Sequence, residues 1–424
     1  MSDTLFSRAQ HVFVGGVNSP VRAFAAVGGT PLFFRGGEGA WLMGMEGRRY
    51  VDYVCAWGAM IAGHAHPEVI EHVMRALSRG LGFGAPTEEE LLLGEKIQML
   101  LGAERLRLVN SGTEAAMTAV RLARGVTGRK KIVKFAGGYH GHADMLLAEP
   151  GSGALSLGVP GSAGVPEEAA AHTLVLAYND ARALTEAFSV HGKDIAAVIV
   201  EPICGNMNMV PGEKDFLAAI SEHCQKNGAL VIADEVLTGF RCRLGDVSRT
   251  LGLTPDLFLL GKVVGGGLPL AVVAGKKEIM EHLAPLGKVY QAGTMAGNPV
   301  ACAAGLATLS LVEAEGFYEA LEQRSAALAK GLQEAGAQAG IPVSAQSRGG
   351  LLGMFFAVEP PKNLYEVKKS NLALFPRFFH GMLQEGIYWP PSAFESLFLS
   401  IAHAEEEIEK TLSAARRVFS SLSA

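Results

Sequence analysis

An α/β fold built on a mainly parallel sheet is predicted by two features of the sequence. From about residue 105, short apolar runs alternate with segments of helical periodicity. That alternation is the pattern of parallel strands joined by helical crossovers, with both faces of the sheet covered. The second feature is placement: residues of chemically useful types follow directly after the apolar runs. In an open α/β sheet, ligands bind beyond the C-terminal ends of the strands.

The elements follow in order. Residues 1–60 are mixed, with a hairpin expected in AWLMGMEGRRYVDYV, turning at Glu46-Gly47. HPEVIEHVMRALSRG and EEELLLGEKIQMLLG carry apolar residues at helical spacing. RLRLVN, KIVKF, HTLVLAY, AAVIVEP, LVIADEV and DLFLLG read as strands, and a helix opens at Gly112 after the first. LPLAVVA, just past three glycines, reads as another strand. The segment EPGSGALSLGVPGSAGVPEEAAAH is rich in Gly, Ser, Ala and Pro. It is long for a connection, and such loops are usually functional or disordered. After about residue 297 the pattern is helical. Strand-like GGLLGMFFAV and SLFLSIA follow, with helices expected at about 364–385 and 404–422.

Composition narrows the class. The chain has 424 residues, 49% hydrophobic and 19% charged, enough for a large core and two domains. A net charge of −5 with no basic cluster argues against nucleic acid as a partner. No apolar run reaches the ~18 residues needed to span a bilayer. The opening MSDTLFSRAQ lacks the apolar core of a secretion signal. A cytoplasmic location away from membranes is therefore expected. Cys55, Cys204, Cys224, Cys242 and Cys302 are scattered with no CxxC pair, which reads as reduced thiols and no metal site.

Lys262 raises the sharpest question, because it sits between the apolar runs DLFLL and LPLAVVA. Burying an unpaired ammonium is costly. Either the side chain snorkels to water, or the site uses a desolvated amine as nucleophile or base. The other strand ends supply company: NSGTEAA at a helix start, AGGYHGHAD with an aromatic and two histidines, EPICGN, and Asp234-Glu235. Exposed N–H groups at a helix N-terminus suit a phosphate. A buried lysine, a strand-end aspartate, an aromatic and a phosphate cradle together suit a pyridoxal phosphate site. There the carboxylate keeps the pyridinium nitrogen protonated so that the ring can accept electrons. Taken singly, each has a plainer reading: Lys262 as a surface lysine, Asp234 or the Ser111 turn as helix caps, His140 and His142 as loop histidines. Nucleotide motifs fail. LLGK lacks the upstream glycine of a P-loop, and GSGALS lacks the last glycine of the dinucleotide fingerprint.

In this order, NSGTEA, YHGHAD, ADEVLTGFR, GKVVGGGLP and YQAGTMAGNP resemble the class III aminotransferases of fold type I. GGVNSPVRAF, EPICGNMN and SAFESLFLSIAH resemble the aminomutase branch of that family, and the likeness spans about residues 3–423. The resemblance implies a large domain with a mainly parallel seven-stranded sheet flanked by helices. A smaller α+β domain would form from the N- and C-terminal segments. The expected divisions are 1–60 (small domain and active site), 61–312 (large cofactor-binding domain) and 313–424 (small domain).

It also implies pyridoxal 5'-phosphate and pyridoxamine 5'-phosphate as cofactor. Lys262 and Asp234 would be catalytic, with Ser111, Gly112, Thr113, Tyr139, His140, Asn206, Val236 and Thr294 also binding the cofactor. Ser19, Arg22, Trp57, Ser152, Tyr290 and Glu395 would lie near the substrate. Arg22 suits a carboxylate, which a guanidinium grips through two hydrogen bonds. Pro150 to Pro166 would act as a lid, Ser152 facing the substrate. The implied reaction is isomerisation of the amino aldehyde 4-amino-5-oxopentanoate to 5-aminolevulinate through 4,5-diaminovalerate, toward tetrapyrroles. A homodimer with shared sites, Thr294 coming from the second subunit, and passing contact with the enzyme that supplies the aldehyde complete the expectation. The alternatives are an ω-aminotransferase using two substrates, or a non-catalytic relative, which would need neither Lys262 nor Asp234.

Overall fold

A computed structural model describes residues 2–149 and 159–423. Its centre is a seven-stranded sheet: β1 (Arg105–Val109), β2 (Lys131–Phe135), β3 (Thr173–Leu176), β4 (Ile195–Val200), β5 (Leu230–Glu235), β6 (Leu257–Leu260) and β7 (Ala271–Gly275). The spatial order is β1-β7-β6-β5-β4-β2-β3. β7 runs antiparallel to both β1 and β6, and the other pairings are parallel. The LPLAVVA run is therefore a strand, but the reversed one. Gly266 at φ +56 and Gly267 at φ +99 adopt left-handed backbone in the tight return between β6 and β7, where glycine carries no steric penalty.

The sheet is buried on both sides, and its strands show why. Leu257 and Leu259 pack with Ile232, Ala197 and Val273 on one face. Phe258 and Leu260 pack with Val231, Ala233 and Val198 on the other. Side chains of period two fill two cores, so the inner strands β4 and β6 carry no polar alternation. Helix α1 (Glu88–Leu101) begins with a reciprocal capping box between Thr87 and Glu90. Helix α2 (Gly112–Thr127) covers the first face through Ala115, Ala116, Ala119 and Ala123, small residues that let it approach closely. Helices α3 (Ala181–His191) and α4 (Lys214–Asn227) cover the other.

The two ends of the chain meet in small sheets. Phe34–Glu38, Trp41–Gly44 and Arg49–Asp52 form an antiparallel meander, and Ile387–Tyr388 adds to it in parallel. The hairpin turns at Glu46-Gly47, with Gly47 at φ +85. Helices α5 (Pro299–Val312), α6 (Phe317–Gln338) and α7 (Glu405–Ser423) match the C-terminal helical pattern. Two expectations need correction. The helix over 364–385 is broken into Leu364–Lys369 and Phe375–Gln384. Ser370 turns extended, and Pro376, which lacks an N–H, sits in the first turn of the second piece, where none is needed. In SLFLSIA only Leu397–Phe398 is strand, because the next main-chain N–H groups bond to separate segments. Phe398 reaches Tyr53, Leu399 reaches Gly350 and Ile401 reaches Ile61, all at 2.9 Å. Among the described residues, no single helix is long and apolar enough to cross a membrane.

Glu235 ends β5 and ties down the loop that follows. Its carboxylate accepts from Val247 N (2.9 Å), Ser248 N (2.7 Å), Ser248 Oγ and Thr238 Oγ1. Burial nevertheless pushes its pKa up to about 7, against those donors. The folded state then holds a proton that the unfolded chain releases near pH 4.5, so stability falls as pH rises from there to about 7. Glu235→Gln should flatten this slope. Between pH 5 and pH 7.5 the variant's Tm should gain on the wild type by about 2 °C or more. A constant Tm difference across that range would reject the assignment.

Candidate active site

The C-terminal ends of β1, β2, β4, β5 and β6 converge on one cavity of about 320 Å³. At the end of β1, Ser111 caps α2, its Oγ accepting from Glu114 N at 3.2 Å. Gly112 and Thr113 follow in the first turn, so their N–H groups are among those without helical partners. After β2, Tyr139 stands half-exposed at the cavity, and Thr113 Oγ1 lies 3.3 Å from His142 Nδ1. His140 is buried, its Nδ1 2.7 Å from Asp234 Oδ2. Since a carboxylate only accepts, Nδ1 is the protonated nitrogen.

Strand β5 delivers Asp234 and stops at Glu235. Val236 stands two residues past Asp234, beyond the end of the strand. It lines the cavity, but from a turn: its N–H donates to Asp234 Oδ1 at 3.1 Å. Lys262 follows β6 in a left-handed conformation, φ +50, and its Nζ donates to the Trp57 carbonyl at 2.7 Å. Burial pulls its pKa below the ordinary lysine range, and nearby Arg241 acts in the same sense; Glu395, Glu201 and Asp234 pull the other way. Glu395, pushed up by its own burial, faces Lys262 as a counter-charge.

Sequence reasoning missed two buried charges here. Glu201 ends the β4 run and is 4% exposed. It accepts from Tyr139 N, Gly205 N and Asn206 Nδ2, all at 3.0 Å. It thereby fixes both the Tyr139 and Asn206 segments; the signal was the EP dipeptide at a strand end. Arg241, within TGFR, is fully buried. The third omission is conformational. Cys55, Ala56 and Trp57 take φ of +46, +51 and +60, followed by Gly58 at +93. Each non-glycine residue in this region costs roughly 1–2 kcal/mol.

The remaining expected residues lie apart from this cavity or outside the described chain. Ser19 and Arg22 sit at a short 3₁₀ turn, Pro20–Ala23, and are not among the cavity's lining residues. Tyr290 is 71% exposed. Thr294 lines a different cavity, with Gly82, Phe83 and Gly84. Ser152 and most of Pro150 to Pro166 fall outside the described residues.

A lysine just past an inner strand, a strand-end aspartate and a helix N-terminus meet at this cavity. The family description "Aminotransferase class-III" matches residues 24–413, and the chain belongs to that family, with its fold type I α/β architecture. Over 424 residues it is 53% identical to the glutamate-1-semialdehyde 2,1-aminomutase of Neisseria meningitidis serogroup C, covering 100% of this chain and 99% of that one. Its fold is similar to an omega-transaminase from Sphaerobacter thermophilus, with TM-score 0.91, 30% identity and coverage of 100% and 98%. It is also similar to a lysine-to-alanine variant of a glutamate-1-semialdehyde aminomutase from Pseudomonas aeruginosa PAO1 in complex with PMP. There the TM-score is 0.89, with 28% identity and coverage of 99% and 94%.

The cavity fits such a cofactor by its own geometry. A Cβ on Gly112 would meet Val236 at 3.1 Å, and one on Gly141 would meet Thr113 Cα at 2.6 Å. The helix start packs so closely here that a side chain at Gly112 would have to move Val236 slightly and one at Gly141 would displace Thr113. Gly141 also has φ +83. Gly141→Ala should push Thr113 out of place and weaken pyridoxal phosphate binding about tenfold or more, by the left-handed cost alone. Absorbance titration of the stripped protein measures this; wild-type affinity would overturn it.

Proposed function

We propose that the chain is a pyridoxal 5'-phosphate and pyridoxamine 5'-phosphate-dependent aminomutase. It converts glutamate-1-semialdehyde (4-amino-5-oxopentanoate) to 5-aminolevulinate through 4,5-diaminovalerate, an intramolecular amino transfer that supplies tetrapyrrole synthesis. The observation that carries this reading is the meeting of Lys262 and Asp234 in one cavity, in a chain matched end to end by an aminomutase.

When bound, the cofactor ring accepts the electron pair left on a substrate carbon after proton removal. The protein's residues do the rest. The N–H groups of Gly112 and Thr113, with the Ser111 hydroxyl, would hold the phosphate at the start of α2. Asp234, steadied by His140, would hold the ring nitrogen. Val236 and Tyr139 would flank the ring, and Asn206 would border it, held by Glu201. Lys262 Nζ would take the proton from one carbon of the transfer and return it to the other. Its lowered pKa raises the share of free amine near neutrality, which suits alternating base and acid work. Arg22 would take the substrate carboxylate, with Ser19, Trp57, Ser152, Tyr290 and Glu395 around the substrate.

A homodimer with shared sites is part of this reading, with Thr294 serving the partner's cofactor. Its support is that Thr294 lines a cavity other than that of Lys262, bordered by exposed apolar side chains, Leu81, Phe83 and Met295. Residues 61–312 are read as the large domain and 1–60 with 313–424 as the small one; the parallel pairing of Ile387–Tyr388 with the strand Arg49–Asp52 supports this. A cytoplasmic setting, supported by five buried free cysteines, and passing contact with the enzyme supplying the aldehyde belong to the same reading.

The test is turnover of glutamate-1-semialdehyde with no other substrate. The purified enzyme should form 5-aminolevulinate without an added keto acid, and Lys262→Ala should lose about a thousandfold in kcat. A requirement for a keto-acid acceptor would instead favour a two-substrate aminotransferase.

A further inference from the structure

Arg241 is the largest buried charge that the mechanism leaves unused. It is 0% exposed and, among the described residues, forms no ion pair. Its hydrogen bonds go to main-chain carbonyls: Nε and Nη2 to Gly58 O (3.0 and 2.6 Å), Nη1 to Gly350 O (3.1 Å) and Leu399 O (3.0 Å). Three segments distant in sequence are thus gathered on one guanidinium. A planar fork with several fixed donors can do this; an ammonium on a flexible stem cannot.

Gly58 closes the left-handed turn Cys55–Gly58, and the residue before it, Trp57, presents the carbonyl that receives Lys262 Nζ at 2.7 Å. The turn holds only a few main-chain bonds of its own, such as Gly58 N to Val54 O (3.3 Å) and Met60 N to Cys55 O (3.0 Å), and three of its residues have side chains that disfavour its backbone. Its beginning is held by Asp52, which accepts from Val54 N (2.8 Å) and Cys55 N (3.0 Å) and is braced by His64. Its end is held by Arg241. The Arg241 and Lys262 cations both stand over the Phe398 ring, at 5.3 and 5.9 Å. A Cβ on Gly58 would strike that ring at 2.8 Å.

We propose that Arg241 is a positioning residue for Lys262: by clamping the Gly58 carbonyl it holds the strained turn whose Trp57 carbonyl aims the lysine amine into the cavity. Its fixed charge also disfavours the ammonium form of Lys262, against Glu395, Glu201 and Asp234, which favour it. The inference rests on Lys262 being the residue that captures the cofactor.

The experiment follows capture of pyridoxal phosphate by the full-length chain stripped of cofactor, by stopped-flow absorbance across pH, with Tm recorded for every variant. Lys262→Ala should abolish covalent capture; if it does not, the functional reading fails and this one is moot with it. Arg241→Lys keeps the charge and loses the fork. It should slow capture at least tenfold while the pH midpoint stays in place. Arg241→Met should slow capture and also move the midpoint upward. Adding Ala56→Gly to Arg241→Lys relaxes the turn and should restore capture to within about threefold of wild type. If the Arg241 variants do not fold, Ala56→Val strains the exposed Ala56 with its φ of +51 and leaves Arg241 intact; it should slow capture in the same way. Wild-type capture in Arg241→Lys or in Ala56→Val, or failure of Ala56→Gly to rescue, would overturn the proposal.

Discussion

One hydrogen bond, from Lys262 Nζ to the carbonyl of Trp57, ties the central sheet to the N-terminal segment beside the cavity. The amine comes from the edge of the central sheet. The carbonyl comes from a segment near the N-terminus that pairs with strands from the C-terminal part. A lysine at this depth needs an acceptor, and a carbonyl supplies one without a charge that would lock it as ammonium. That choice sets demands further out. The carbonyl must be presented by a left-handed turn, the turn must be held at both ends, and its holders, Asp52 and Arg241, must themselves be buried and satisfied.

The acidic side of the cavity follows the same logic with the signs reversed. Asp234 is buried and its two oxygens are spoken for, one by His140 Nδ1 and one by Val236 N. Glu201 is equally buried, and its donors are main-chain N–H groups, an amide and the Cys204 thiol rather than a cation. A carboxylate held only by neutral donors pays for its burial with a raised pKa, as Glu201 and Glu235 both do. The result is a cavity in which lysine, histidine, aspartate and glutamate are set by fixed dipoles as much as by each other. Such preorganised polar surroundings need little rearrangement when charge moves.

Much of this was legible in the sequence because the signals were local. The inner strands β4 and β6 are uninterrupted apolar runs, as burial on both faces requires, and the ends of five runs name residues that meet the cavity. Ser111 before Gly112 reads as a cap, and it is one. Signals failed where the backbone answers to distant partners. SLFLSIA looks like one strand, yet its N–H groups bond to three segments. Cys55-Ala56-Trp57 has no glycine to announce a left-handed turn. Arg241 resembles any arginine after an aromatic, and nothing near it in sequence tells that its partners are residues 58, 350 and 399.

By itself, then, the sequence determined the α/β class, the order of elements, and which side chains would be offered at the strand ends. These depend on periodicity and on the residue next in the chain, and both are written along one dimension. The tertiary structure alone decided that β7 runs backwards, that Val236 reaches the cavity from a turn, and that an N-terminal carbonyl receives the lysine. It also decided that Thr294 lines a cavity other than that of Lys262. Those outcomes are set by which distant groups satisfy a buried donor or acceptor. That choice is made only when the chain has closed on itself and water has left.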